Sequence, residues 1–262
     1  SAECLWTRQL PQPHQSQSFF IARNMAAGLV TARDIYESDL DGKPITGNRP
    51  DLYAERFIDA EIYKARPEVM AIVAAETPEI VAFSVSSVAL HGDNPPPVID
   101  VRKFNGGQSG LITTPALGHA LAEALARRNT ALLLGRGAVI VGPTINGVVG
   151  SANGLRDSMR TQLTATSLGG NVTYLDFTPR PAAAQRGTPP AGARGAAGRG
   201  GAAADPASAD RAWNYWKFLA NTELIRESNA PKASAPAAPA NANSDKAVID
   251  DLVLANRILS LP

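Results

Sequence analysis

Apolar and polar positions along residues 18–178 switch repeatedly between a two-residue and a helical period. "FFIAR" is a short apolar run that predicts a strand. In "GLVTARDIYESDLDG", which follows, Thr31 can cap the turn entering "ARDIYESD", and Asp41-Gly42 makes a tight turn. "DLYAERFIDAEIYKARPEV" predicts a helix with Phe57, Ile58 and Ile62 on one face, stopped by Pro67. "MAIVAAE" reads as a strand. "TPEIVAFSV" then opens a helix with Thr77 as N-cap and Pro78 at its first position. "TTPALGHALAEALARR" is a second helix, capped at Thr113 or Thr114, with Leu117, Leu121 and Leu125 on its core side. "TALLLGRGAVIVGPT" gives two apolar strands around Gly135-Arg136-Gly137, and a long helix from "INGVVG" ends in a Gly-rich stop. Helices and strands in this order predict a layered α/β or α+β domain.

Two low-complexity stretches divide the rest. Residues 1–178 hold the core, and 179–210 are an Ala/Gly/Pro/Arg segment with almost nothing to bury, which reads as a flexible connector. Residues 211–227 put Trp213, Trp216, Leu219 and Ala220 at helical spacing, a packing face for the main domain or a neighbouring subunit. An Ala/Pro-rich linker covers 228–246. Residues 247–262 form an amphipathic helix with Ile249, Leu252, Val253, Ile258 and Leu259 apolar.

Composition narrows the function classes. With 25 Lys+Arg against 24 Asp+Glu in 262 residues, the formal charge of +1 gives no bias toward nucleic acid or an anionic membrane. The arginines of 179–210 lack aromatic neighbours, so a solvated linker is preferred there to RNA contact. No apolar run is long enough for a membrane span, and the first residues lack a signal-peptide pattern. The compartment stays open between cytoplasmic, which is favoured, and periplasmic or secreted. One cysteine, Cys4, leaves no internal disulfide and no multi-cysteine metal site.

The runs "LYAERFIDAEIYKARPEVMAIVAAETPEIVAFSV" and "PALGHALAEALARRNTALLLGRGAVIVGPTINGVV", with "RAWNYWKF" further on, resemble the class II aldolase/adducin family. The resemblance implies a three-layer α/β/α domain with a central, mostly antiparallel sheet, usually tetrameric and holding a divalent metal such as zinc. It implies carbon–carbon bond cleavage or formation, or epimerisation, for active members; relatives include decarboxylases and the non-enzymatic adducin head. Where active members carry a His-x-His pair after the strand, this chain has Ala74 and Glu76. Where they place a third histidine between glycines, it has Arg136. Alanine offers no ligand and arginine keeps its proton, so zinc binding of the family type is not expected and no cofactor is assigned.

Arg136 restores a cation, and the expectation is a bidentate Arg136–Glu76 pair standing in for the metal. Glu55 matches the helix that bears the family's acid/base glutamate and could join the pair, although the helix also offers Glu61. Arg136 pointing to solvent is the plainer alternative. His14, His91 and His119 have no ligand spacing. Gly106, Gly107 and Ser109 in "NGGQSG" could cradle a phosphate, but an ordinary loop is preferred, and Asp100, Arg102 and Lys103 read as strand or edge positions.

The terminal helix resembles the family's first helix, so the order of segments reads as a circular permutation, with a domain swap as the alternative. Two functions follow: a non-catalytic member that assembles with itself or with an active paralogue, or a metal-independent enzyme with Glu55 as base and Arg136 polarising an oxygen.

Overall fold

The computed structural model describes residues 3–9, 18–45, 51–92, 94–169, 171–173, 211–220 and 246–260. The connector at 179–210, residues 228–245 of the second one and His14 lie outside them, as does the Cys4 side chain. The elements are β1 (Glu3–Gln9), β2 (Ser18–Ala22), β3 (Ile35–Asp39), α1 (Phe57–Ala65), β4 (Ala71–Glu76), α2 (Pro78–Val85) and β5 (Val98–Ile99). After these come α3 (Pro115–Leu125), β6 (Thr130–Leu133), β7 (Gly137–Gly142), α4 (Ile145–Ser167), a helix over 211–220 (α5) and α6 (Lys246–Ser260).

The strands form one seven-stranded sheet in the order β3-β2-β1-β4-β7-β6-β5. Every pair is antiparallel except β5 with β6. All residues of β2 and of β7 are buried, so both faces of the sheet are covered. Helices α2 and α4 lie against its strands, and α6 packs on β1 and α4. In the other layer α1 and α3 pack together, and Tyr63 of α1 meets Phe19 of β2 with ring centroids 5.6 Å apart. Gly118 makes the α1–α3 approach possible, because a Cβ there would lie 2.2 Å from the Phe57 carbonyl oxygen. This is a three-layer α/β/α domain around a mostly antiparallel sheet.

Local chemistry starts the helices where the sequence expects. Thr77, Thr114 and Thr144 accept hydrogen bonds from the Ile80, Leu117 and Gly147 amides, and proline opens α2 and α3. Leu117, Leu121 and Leu125 are buried. Past α4, Gly169 adopts φ +75°, which stops the helix.

Some elements depart from the sequence reading. Helix α1 starts only at Phe57: residues 54–56 form a turn, so Glu55 precedes the helix. In "VIDVRKF" only Val98 and Ile99 are strand, and Val101–Phe104 form a 3-10 turn whose Asp100 side chain accepts from the Arg102 amide. Asp100 also takes both the Nε (2.8 Å) and Nη2 (3.0 Å) donors of Arg102, a partner the sequence did not name. Strands β1 and β3 are additions, and β1 sits centrally between β2 and β4. Helix α6 packs on β1 and α4 of the same chain, burying Ile249, Leu252, Ile258 and Leu259. Trp213 and Trp216 are half-buried against the core. Among the described residues no helix is long and apolar enough to cross a membrane.

Candidate functional site

The β6–β7 turn, Leu134-Gly135-Arg136, is pressed onto the end of β4. Gly137 has φ +136°, and a Cβ on it would lie 2.3 Å from the Ala75 carbonyl oxygen. The Gly135 amide donates to Ser84 Oγ at 3.0 Å, fastening the turn to α2. So held, Arg136 reaches over the sheet toward the turn that precedes α1.

There its guanidinium meets Glu55 end-on, with Nη1 donating to Oε1 at 2.9 Å and Nη2 to Oε2 at 2.7 Å. The partner is therefore Glu55 and not the expected Glu76. The reason is geometric: the turn at 54–56 aims the Glu55 carboxylate inward, whereas β4 carries Glu76 at its very end. The Glu55 side chain is 6% exposed and that of Arg136 25%. The Ile112 amide adds a third hydrogen bond to Glu55 Oε1 at 2.8 Å, and the Gly110 carbonyl accepts from Arg136 Nη1 at 3.3 Å. A bidentate charge pair with a further backbone amide on one of its carboxylate oxygens is a strong arrangement when shielded from water.

Beside the pair opens a cavity of about 340 Å³, whose lining includes the charged side chains of Glu55, Glu76 and Arg136, together with Ala74. Tyr53, Ile58, Leu111 and Leu133 supply apolar wall. The wall segment Asn24–Ala27 is anchored through Arg23, whose Nε donates to Asp34 at 2.7 Å. Burial pushes the Asp34 carboxyl up, but hydrogen bonds from Thr31 and Arg23 outweigh it and hold the group below the usual carboxylate range. The Tyr53 amide donates to the Tyr36 hydroxyl at 3.3 Å, and burial pushes that phenol up to about 12.

The donors present do not fit a zinc ion. Ala74 has no ligand atom, Arg136 is a fixed cation, and both Glu55 oxygens are engaged by Arg136 and Ile112. Among the described residues no three His, Cys, Asp or Glu side chains are grouped so as to hold a metal. His91 and His119 do not line the cavity. His119 is exposed on α3, 3.9 Å from Glu61 and 3.5 Å from Glu123.

The Gly106–Ser109 loop turns its polar groups inward. The Gly107 amide donates to the Arg102 carbonyl at 2.8 Å, and the Gln108 amide to Asn105 Oδ1 at 3.1 Å. Asn105 Nδ2 donates to the Ser109 carbonyl at 2.6 Å, and Ser109 Oγ accepts from Leu111. The Gly107 and Gln108 amides are thus engaged within the loop itself. The segment serves the site through two backbone groups, the Gly110 carbonyl and the Ile112 amide, which side-chain reasoning on the sequence had no signal to find.

A three-layer α/β/α sheet with a cavity at the end of β4, walled by a strand-joining turn, is the architecture of a class II aldolase fold. The family described as Class II Aldolase and Adducin N-terminal domain matches residues 12–163, more than half of the chain. The chain belongs to that family. It is 30% identical over 154 residues to the decarboxylase tropJ of Talaromyces stipitatus, across 51% of this chain and 58% of that protein. The chain thus spans less than two thirds of that curated relative. Among solved structures, an aldolase II superfamily protein from Pseudomonas syringae superposes with a TM-score of 0.53 at 17% identity, over 63% of this chain and 67% of that one. An L-fuculose 1-phosphate aldolase does so with a TM-score of 0.53 at 16% identity, over 66% and 81%. Likeness at these identities concerns the fold.

Proposed function

We propose that this chain is a non-catalytic member of its family, in which the Arg136–Glu55 pair occupies the place of the metal and the protein serves binding or assembly, with its own copies or an active paralogue. Ala74, Glu76 and Arg136 stand at the metal-ligand positions in this reading. One observation carries it: the same two hydrogen bonds that fix Arg136 also occupy both oxygens of Glu55. A general base must present a lone pair to a substrate proton. An electrophilic arginine must turn its charge to a developing oxyanion. Here each group answers the other. The packing of α6 on β1 and α4 supports taking it as the family's first helix in a permuted order.

The second reading, a metal-independent lyase, epimerase or decarboxylase, has the open cavity beside Arg136 in its favour, together with the likeness to a decarboxylase. It requires the pair to part when substrate enters, freeing Glu55 as base.

Metal content of the full chain after zinc exposure and removal of excess, read by elemental mass spectrometry, tests the first reading. The expected stoichiometry is far below one zinc per chain. A value near one would mean that ligands assemble at this or another site, and the pair would no longer stand in for the metal.

A further inference from the structure

The hydrogen-bond inventory of Arg136 defines what its cavity can take. A guanidinium has five N–H donors. Nη1 uses both of its own on Glu55 and the Gly110 carbonyl, and Nη2 uses one on Glu55. The Nε–H and the second Nη2–H lie on the other edge of the fork and have no partner among the described residues. That edge belongs to a residue lining the cavity.

The charge on that edge is already answered. Glu55 neutralises Arg136, and among the described lining residues Arg136 is the only cation, while Glu55 and Glu76 both bring carboxylates. A carboxylate or phosphate entering here would shed its hydration shell and find no unpaired positive charge. A neutral carbonyl oxygen has two lone pairs, enough for both donors, and meets no such charge penalty. Ala74, Tyr53, Ile58, Leu111 and Leu133 then face the ligand's body with hydrocarbon, in a volume at the small end for ligand pockets.

We infer that this cavity binds a compact neutral carbonyl or carboxamide compound with an apolar body, and selects against the matching carboxylate and against phosphate. The inference rests on the reading of Arg136–Glu55 as a closed pair in place of a metal, and gives that site a ligand class.

Benzamide and benzoate have nearly the same shape and differ in charge, so they isolate the effect. Saturation-transfer NMR titrations of the full chain with each, and with inorganic phosphate, give the expected order: benzamide about ten-fold tighter than benzoate, phosphate not detected. Glu55→Gln keeps one acceptor oxygen, for the Ile112 amide and Arg136 Nη1, sets an amide NH2 opposite Arg136 Nη2 and leaves the arginine's charge unanswered, so the preference should reverse toward benzoate. Ala74→Leu fills the cavity without touching the pair and should weaken benzamide about ten-fold or more in a protein that still melts cooperatively. Benzoate or phosphate binding the unmodified chain as tightly as benzamide would overturn the inference. So would an unchanged preference in Glu55→Gln, or full benzamide affinity in Ala74→Leu. Absence of saturable benzamide binding sinks this inference and leaves the metal-free reading standing. One zinc per chain sinks that reading whatever benzamide does.

Discussion

Replacing Arg136 with methionine lowers the unfolding free energy of the chain by about 3 kcal/mol, at the lower end for removal of one partner of a buried pair. The loss is large because of what remains. Glu55, 6% exposed, keeps one amide donor and loses the two charge-assisted bonds at 2.9 and 2.7 Å. Most of the cost is the desolvated carboxylate, not the vanished attraction, so neutralising it should restore stability. The double variant Arg136→Met/Glu55→Gln keeps an acceptor for the Ile112 amide and is expected to recover about 2 kcal/mol of the loss. Urea unfolding of the three proteins reads this directly. A single-variant loss below about 1 kcal/mol would place the pair with ordinary surface ion pairs and remove its structural role.

The second large effect comes from Gly137. Alanine there must adopt φ +136°, and its Cβ would lie 2.3 Å from the Ala75 carbonyl oxygen and 3.2 Å from the Glu76 Cα. Both obstacles are backbone in paired strands, since Ala75 of β4 stands opposite Ala138 of β7, so neither can swing aside. Strain and overpacking together predict a loss of about 3 kcal/mol, with displacement of the turn that carries Arg136. Gly106→Ala is the control: its φ is +70° and nothing lies within 4 Å, so only the left-handed backbone is charged, about 1–2 kcal/mol. Equal losses in the two variants would show that the close approach of β7 to β4 matters little.

The parts of this fold that were legible in the sequence are those set by neighbours along the chain. Thr77-Pro78, Thr114-Pro115 and Thr144 announce helix starts because capping is local, and Gly135-Arg136-Gly137 between apolar runs announces a hairpin. Strand β1 was not legible: "ECLWTRQ" lacks an apolar alternation, and only pairing with β2 and β4 makes it a strand. The site divides the same way. Arg136 and the absence of a ligand atom at Ala74 could be read directly, and the need for a carboxylate partner followed from charge. Which carboxylate could not, because Glu55 is 81 residues away and its direction comes from a turn that helix periodicity overran. Nor could the Gly106–Ser109 loop be understood from its glycines, since the groups it lends to the site are a carbonyl and an amide just beyond them.

The Ile112 amide has a use of its own. It is a buried backbone donor whose acceptor is Glu55 Oε1, an atom also held by Arg136. Solvent reaches it only when that three-way junction opens, so its hydrogen–deuterium exchange is a built-in gauge of how often the cavity unlocks. A ligand that binds along the outer edge of Arg136 without parting the pair should slow that exchange, and one that pulls Glu55 away should hasten it. The two proposed functions can thus be told apart by a single amide resonance, without knowledge of any substrate.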